Sequence, residues 1–125
     1  MATWNDVRGF LSSQYQVSND SGNALTFLFE TERGRSQTVT VIGGEAMPVV
    51  IVTSPIGSVR EIDAKRLLEL TEDGVMGVKK VADYYLVVAA IPTADLSEGE
   101  LIGPMLLVTA EADSYEEKLG LGDRL

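Results

Sequence analysis

The segment from Tyr84 to Leu119 constrains the fold more than any other part of this 125-residue chain. It begins with the apolar run YYLVVAAIP, whose length and β-branched residues are typical of a buried strand. Pro92 ends the run, since proline cannot donate a ladder hydrogen bond. Ser97 and Glu100 then have the spacing of a capping box, which predicts a helix that begins just after Ser97. The segment therefore predicts a strand followed closely by a long capped helix.

The predicted last helix carries two apolar stripes. Its main stripe recurs at steps of four and three residues and comprises Leu101, Met105, Val108, Ala112, Tyr115 and Leu119. Ile102, Leu106 and Thr109 form a second stripe at positions i, i+4 and i+7. Pro104 lies inside the pattern, and because it cannot donate to the carbonyl of Glu100 we expect a kink or a delayed helix start. One helix thus has more apolar surface than a single core contact requires.

The rest of the chain contains turn residues between short alternating segments. Strands are predicted at 24–31, 37–42, 47–53, 76–81 and 84–91, and 15–18 is a candidate for a further short strand. Thr3 and Asp63 are predicted to cap a first helix and a short middle helix, which ends at Gly74. The sequence therefore predicts an α+β fold: an antiparallel five-stranded sheet with helices at the N-terminus, in the middle and at the C-terminus (α-β-β-β-α-β-β-α).

A single domain is expected at this length. We assign residues 1–119 to it and residues 120–125 to a C-terminal tail, with Gly120 as the predicted helix stop. The N-terminus lacks the basic start and apolar run of a secretory signal. The apolar run from Val81 to Ile91 is interrupted by Asp83 and is too short to span a bilayer. We expect a cytoplasmic protein that does not enter the membrane.

The composition argues against most catalytic chemistry. The chain has no cysteine and no histidine, which removes thiolates, the usual general base near neutral pH and the commonest transition-metal ligand. No phosphate-binding loop, dinucleotide fingerprint or nucleophile elbow is present, and the carboxylates near turns have no diagnostic spacing. We expect no catalytic residue, no cofactor and no metal site. A carboxylate-based hydrolase is the least favoured alternative.

The chain is strongly acidic, with a net charge of −9. Acidic residues outnumber basic ones eight to two between residues 91 and 125. Such a domain repels phosphate backbones, so we expect no nucleic-acid partner. The acidity either keeps a small protein dispersed or steers a basic partner toward the last helix.

The strands at 47–53 and 84–91 are apolar on both faces. In the first of them Val49 and Ile51 point one way, while Val50 and Val52 point the other. An antiparallel sheet with one solvated face alternates, so these strands need cover on both faces. Either a helix or the predicted 54–62 loop covers the second face, or it is an intersubunit or partner surface. The candidate surface residues are Ile102, Leu106, Val50 and Val52, and a homodimer is the expected assembly.

Several segments resemble the YbjN-like family, whose members share the fold of type III secretion chaperones. They are VVIVTSPIGSV (49–59), EIDAKRLLELTEDG (61–74), GVKKVADYYLVVAAIP (77–92), ADLSEGEL (94–101) and SYEEKL (114–119). The resemblance implies a small acidic homodimer without catalytic residues. In secretion chaperones, exposed apolar patches hold an extended segment of the secreted protein, whereas YbjN-like proteins are described as regulatory or sensory.

These observations favour a non-enzymatic protein that binds a polypeptide partner, as a chaperone or a regulatory adaptor. Apolar burial combined with an added strand or helix is a recurrent mode of such recognition. The alternative is a sensory regulator that binds a small molecule in a pocket between sheet and helices.

Overall fold

The chain forms an antiparallel sheet with three α-helices, here described for residues 1–31 and 34–121 of a computed structural model. The helices are α1 (Trp4–Gln14), α2 (Ala64–Leu70) and α3 (Glu98–Lys118), and a 3₁₀ turn (Thr71–Asp73) follows α2. The strands are β1 (Asn19–Asp20), β2 (Ala24–Glu30), β3 (Ser36–Ile42), β4 (Val49–Ser58), β5 (Gly77–Val81) and β6 (Tyr84–Pro92). The predicted α+β class and its three helices are confirmed.

The sheet has six strands in the order β1-β2-β3-β4-β6-β5, so the predicted count of five is wrong. The additional strand, β1, is two residues long and pairs antiparallel with Leu25 and Thr26 of β2. The candidate strand at 15–18 does not form. Ser21 and Gly22 turn the chain back toward β2, and Ser21 donates its backbone N–H to the carbonyl of Ala24 at 3.0 Å. Turn chemistry, rather than strand propensity, creates β1.

Strand β4 extends to Ser58, through the segment that the sequence pattern assigned to a loop. Its ladder with β3 ends at Thr53, whereas its ladder with β6 continues, with a register shift between Pro55 and Gly57. Side chains bridge β3 and β4 beyond that point. Ser54 Oγ donates to Thr38 O at 2.7 Å, and Gln37 Nε2 donates to Pro55 O at 2.6 Å.

All three helices contribute to one core on one face of the sheet. The inward strand positions are the ones buried with the helices, among them Leu25, Phe27, Val39, Val41, Val50, Val52 and Val87. From α3, the five residues Leu101, Met105, Val108, Ala112 and Tyr115 join this core, as the main stripe predicts. The outward strand positions are not part of it. The apolar outward side of β4 and β6 therefore faces away from the helices.

The predicted helix signals are present in the structure. Thr3 with Asp6 and Ser97 with Glu100 form reciprocal capping boxes at the starts of α1 and α3. Asp63 caps α2 by accepting the N–H of Lys65 at 3.1 Å. Helix α3 begins at Glu98 and contains Pro104, so its start is not delayed.

The C-terminal end of α3 closes with a Schellman motif. Gly120 has a φ of 72° and donates to Glu117 O at 3.1 Å, while Leu121 donates to Glu116 O at 3.0 Å. Leu121 also packs against the core. These two residues begin the predicted tail, and residues 122–125 lie outside the described part of the chain. No helix within the described ranges combines the length and the apolar character needed to cross a bilayer.

Candidate functional site

A groove of about 760 Å³ lies between the end of β2 and the C-terminal half of α3. We call it the β2–α3 groove. One wall consists of Leu28–Thr31 and the other of residues between Leu106 and Lys118, and Tyr15 also lines the groove. Its volume falls within the roughly 300–1,000 Å³ of typical ligand sites. The groove is the candidate functional site of this fold.

The β2 wall is an unpaired strand edge, because β1 covers only Leu25 and Thr26. On β2, the carbonyls of Ala24 and Thr26 point toward β1, where they accept the N–H groups of Ser21 and Ser18. Backbone groups alternate along a strand, so those of Leu28 and Glu30 point toward the same side. We call Leu28–Glu30 the open edge. No strand within residues 1–31 and 34–121 pairs with it on that side.

Apolar side chains stand exposed on both walls. Leu28 is 61% exposed on the β2 wall, and Leu106 is 54% exposed on the α3 wall. Tyr15 and Phe29 also line the groove, and their rings pack at a tilt with centroids 5.1 Å apart. Ala110 also lines the α3 wall, together with Thr109, whose hydroxyl donates to Met105 O within the helix at 2.6 Å. Exposed leucines of this kind favour contact with another molecule over contact with water.

A buried ion cluster fixes α3 next to the groove. Arg35, just before β3, donates from Nε to Asp113 Oδ1 at 2.7 Å and from Nη2 to Glu116 Oε2 at 3.3 Å. Glu116 is 1% exposed. Because buried carboxylates are costly without such partners, this cluster ties the position of α3 to the sheet. The spacing between the groove walls is thereby set.

Outside the ion cluster, the groove is lined by two further carboxylates and one lysine, which are Glu30, Glu117 and Lys118. The charge of these three side chains is negative in sum.

The ionisable groups with the clearest structural causes for a shifted pKa lie away from the groove. Arg8 and the N–H of Gly22 hold the pKa of Asp20 at about 2. Burial, followed by the nearby carboxylates of Glu111 and Asp73, raises the pKa of Tyr115.

The described residues also contain no grouping of three His, Cys, Asp or Glu side chains able to hold a metal ion. The groove lining therefore combines apolar side chains, acidic side chains and a backbone edge. This set of groups can contact both the side chains and the backbone of another polypeptide.

The structure separates the four predicted surface residues. Leu106 lines the groove and is exposed, and Ile102 is half-buried on the same helix. Val50 and Val52 are 1% and 0% exposed and belong to the core, because β4 turns them toward the helices. Their neighbours Val49 and Ile51 occupy the outward face instead.

Sequence reasoning missed Leu28 and the open edge. Leu28 occupies a solvent-side position on a strand whose other outward residues are Ala24, Thr26 and Glu30, and that contrast is the signal that was available. It also missed the exposed Leu68 and Val75 near α2. Neither of these last two residues lines the groove.

Comparison with known proteins identifies the fold. The chain is similar to a chain in the solved structure of the HopA1-SchA chaperone-effector complex, with a TM-score of 0.60 and 15% sequence identity. The match covers 90% of this chain and 88% of the other. Comparisons with protein families and with curated proteins find no match. The protein therefore has a fold that also occurs in a chaperone-effector complex, in agreement with the chaperone-like fold predicted from the sequence.

Proposed function

We propose that the protein is a non-enzymatic binding protein that holds a polypeptide partner in the β2–α3 groove, as a chaperone or a regulatory adaptor. The observation that carries this proposal is the open edge of β2 beside the exposed Leu106 of α3. A polypeptide segment can add to the edge through its backbone and bury alternate side chains against the leucines. The fold likeness to a chain in a chaperone-effector complex supports the same class of partner.

The groove also suggests the chemistry of the partner. Glu30 and Glu117 line it, and the whole chain carries a net charge of −9. A segment that places basic residues beside its apolar ones complements this lining, and its association should weaken as salt is added. Homodimer formation, a cytoplasmic location and membership of the YbjN-like proteins are further parts of the proposal. They rest on the sequence resemblance.

The test compares Leu106→Glu with Leu107→Glu. Both side chains are exposed leucines on α3, 54% and 47% exposed, but only Leu106 is among the residues that line the groove. Tagged wild-type protein is used to capture its partner from its own cells, and the recovered polypeptide is then titrated against each variant. We expect Leu106→Glu to weaken binding by about tenfold or more, and Leu107→Glu to bind like the wild type. Equal binding by both variants would contradict the assignment of the groove.

Hydrogen exchange tests the role of the strand edge separately. The amides of Leu28 and Glu30 point away from β3 and should exchange rapidly in the free protein. Strand addition should slow both amides in the complex, while the amide of Thr31, which donates to Arg35 O, changes little. If the partner binds without protecting Leu28 and Glu30, contact with the helix rather than the edge holds it.

A small-molecule sensor is the second candidate, because the volume of the groove also suits a ligand of drug size. Thermal-shift measurements discriminate between the two functions. A compound that raises the melting temperature of the wild type and of Leu107→Glu, but not of Leu106→Glu, would favour the sensor. A shift produced by the captured polypeptide with the same dependence on Leu106 would favour the chaperone or adaptor.

A further inference from the structure

The outward face of the sheet, on the side opposite the helices, carries very little charge. Its positions alternate along β2 to β6 with those on the helix side of the sheet. They are the even-numbered residues of β2, β3 and β6, the odd-numbered residues of β5 and of β4 as far as Pro55, and Ser58 after the register shift. Within this set of described residues, Glu30 and Lys79 are the two charged side chains. We call this surface the outward face.

The centre of the outward face can lose water at low cost. Thr26 and Thr40 share a hydrogen bond between their hydroxyl oxygens at 3.1 Å, and Thr53 Oγ1 lies 3.5 Å from the carbonyl of Thr40. The hydroxyls at the centre thus have partners within the sheet. The adjacent row pairs Ile42 with Ile51, and Ile51 with Ala90. A surface of aliphatic groups and satisfied hydroxyls is favourable to bury.

The charge of the chain points to what can cover this face. Two copies of a chain with a net charge of −9 repel one another wherever their acidic surfaces meet. Helix α3 has Glu98 and Glu100 in its first turn and Glu117 near its end. The outward face has one carboxylate, at its rim. A second copy can therefore approach through the outward face with little repulsion.

The strand order gives this contact a specific symmetry. Strand β4 is the middle strand between β2 and β5 in the order β2-β3-β4-β6-β5. A two-fold axis parallel to β4 in the contact plane places β2 of one copy over β5 of the other. Glu30 is on β2 and Lys79 is on β5, so the two charges at opposite rims meet across the interface. The same operation generates this pair twice.

The register places the two charges within reach of each other. Leu28 pairs with Thr38, which accepts a hydrogen bond from Ser54 next to Pro55. Pro55 and Lys79 both pair with Leu86, so Leu28 and Lys79 lie on about the same row of the sheet. Glu30 is two residues further along β2, about 7 Å away. A lysine side chain can extend over that distance.

We propose that two copies of this chain pack through their outward faces, with the two-fold axis along β4 and with Glu30 of each copy paired with Lys79 of the other. The face offers roughly twenty positions, at the lower limit of the roughly 20–30 residues per side of a standard interface. The outward face is distinct from the groove but shares Leu28 and Glu30 with it, at the corner where the two surfaces meet. The inference also shares the homodimer with the proposed function.

Carbodiimide cross-linking tests the predicted ion pair directly. Within one chain Glu30 and Lys79 are four strand spacings apart, or about 19 Å, so a zero-length link between them has to join two copies. Protein labelled with ¹⁵N is mixed with unlabelled protein, and the cross-linked peptides are read by mass spectrometry. We expect a mixed-label peptide joining Glu30 to Lys79. The absence of that peptide from a cross-linked dimer would overturn the proposed arrangement.

Charge exchange tests the same pair in solution. Glu30→Lys and Lys79→Glu should each weaken the dimer by about tenfold, since each places two like-charged contacts in the interface. The dissociation constant of the double-variant dimer should lie within about threefold of the wild-type value. Lys80→Glu is the matched control, because Lys80 is on the same strand but points to the other face. Equal weakening by Lys80→Glu would show that net charge, and not the pair, controls assembly.

Ala90→Glu tests the apolar centre of the face. Ala90 is exposed, so a glutamate is tolerated in the separate chain, and circular dichroism confirms that the variant is folded. We expect sedimentation velocity to show a wild-type dimer, a monomeric Ala90→Glu variant and a weakened dimer for Ala90→Gln. A monomeric wild type would overturn the inference. The inference would also be overturned if Ala90→Glu remained dimeric while a substitution of Leu68, an exposed leucine of α2, abolished the dimer.

The proposed function and this inference fail in different ways. If Ala90→Glu is monomeric and still binds the captured polypeptide, the outward face is the dimer surface and the groove is independent of it. If Leu106→Glu is dimeric and binds the captured polypeptide as tightly as the wild type, the groove assignment fails and the proposed dimer is unaffected.

Discussion

Gly43 lies directly beneath the indole ring of Trp4, and a Cβ at this position would come within 2.8 Å of Cδ2 of that ring. The ring is held in place because its Nε1 donates to Gly22 O at 2.9 Å. Trp4 is 5% exposed at the start of α1, so this contact joins the first helix to the end of β3. The glycine is needed for space, since its backbone has no positive φ.

Gly43→Ala should therefore destabilise the protein by about 1–3 kcal/mol through overpacking against the indole. Urea denaturation followed by the fluorescence of Trp4, the one tryptophan in the chain, measures the effect. Gly44→Ala is the matched control, because the nearest atom to a Cβ there is Asn23 Oδ1 at 3.8 Å. If both substitutions lowered the free energy of unfolding equally, the loss of a glycine, and not the contact with the indole, would be the cause of the destabilisation.

Helices α1 and α3 were predicted well from the sequence because their signals are local. The capping boxes at Thr3 and Ser97 involve residues three positions apart, and the main stripe of α3 depends only on helical period. Strand β1 was missed for the opposite reason. Asn19 and Asp20 have low strand propensity, and their pairing with β2 depends on the turn that joins them.

The continuation of β4 through Pro55 was missed because proline ordinarily ends a central strand. In the structure the β3 ladder has already ended at Thr53, and the side chains of Ser54 and Gln37 bridge the two strands beyond it. Such compensation depends on residues distant in sequence. No local pattern reveals it.

The candidate site was predictable only where its signal was local. Helical spacing indicated Leu106 as a residue outside the main stripe, and the structure places it in the groove. The strand pattern showed that β4 is apolar on both faces but not which face receives the helices. Val50 and Val52 were therefore assigned to the surface, whereas the outward residues are Val49 and Ile51. The packing of the helices decides between the faces, and single-strand patterns contain no information on it.

The hairpin between β5 and β6 contains a strained backbone position. Val81 pairs with Tyr84 across a two-residue loop, and Ala82 in that loop has a φ of 52°. A left-handed conformation costs a non-glycine residue roughly 1–2 kcal/mol, whereas glycine loses roughly 0.5–1 kcal/mol of chain entropy. Ala82→Gly should thus stabilise the protein by about 0.5–1 kcal/mol in urea denaturation.

Ala94→Gly provides the comparison for this prediction. Ala94 is exposed and lies outside helices and strands, and its φ is not positive. The same substitution there should lower the free energy of unfolding by about 0.5–1 kcal/mol, because only the entropic term remains. We expect the free energy of unfolding to rise in Ala82→Gly and to fall in Ala94→Gly. A fall in both variants would show that Ala82 is not strained.

The ion pair between Arg8 and Asp20 predicts a specific acid dependence. Both oxygens of Asp20 accept hydrogen bonds from Arg8 at 2.7 Å, and the pKa of Asp20 falls from 3.8 to about 2. A depressed folded-state pKa contributes stability that is fully present above the unfolded value and is lost as pH falls through the folded value. This contribution should therefore disappear between about pH 4 and pH 2.

The difference in unfolding free energy between the wild type and Asp20→Asn isolates that contribution from other acidic groups. It should be constant at and above neutral pH and should shrink through the same acidic window. Arg8→Gln should remove the same pH dependence, because it deletes the largest cause of the pKa shift. If Arg8→Gln retains the wild-type acid profile, the N–H of Gly22 is the dominant cause instead.

The hydroxyl of Tyr115 lies over Gly74, where the 3₁₀ turn after α2 meets α3. It is buried and has no hydrogen-bond partner among the described residues, and a Cβ at Gly74 would overlap it. Gly74 has a φ of −85°, so alanine is compatible with the backbone and only the contact opposes it. Gly74→Ala should cost about 1–3 kcal/mol in urea denaturation.

Tyr115→Phe removes the hydroxyl and completes a double-mutant cycle with Gly74→Ala. Alone, Tyr115→Phe should be neutral or stabilising, since it deletes a buried polar atom that makes no hydrogen bond. In its background the cost of Gly74→Ala should fall by about 1 kcal/mol or more, because the overlapping atom is absent. Some cost should persist, as the carboxylate of Glu111 remains 3.2 Å from the new methyl group. Strict additivity of the two changes would show that the turn moves away from α3 rather than being held against the hydroxyl.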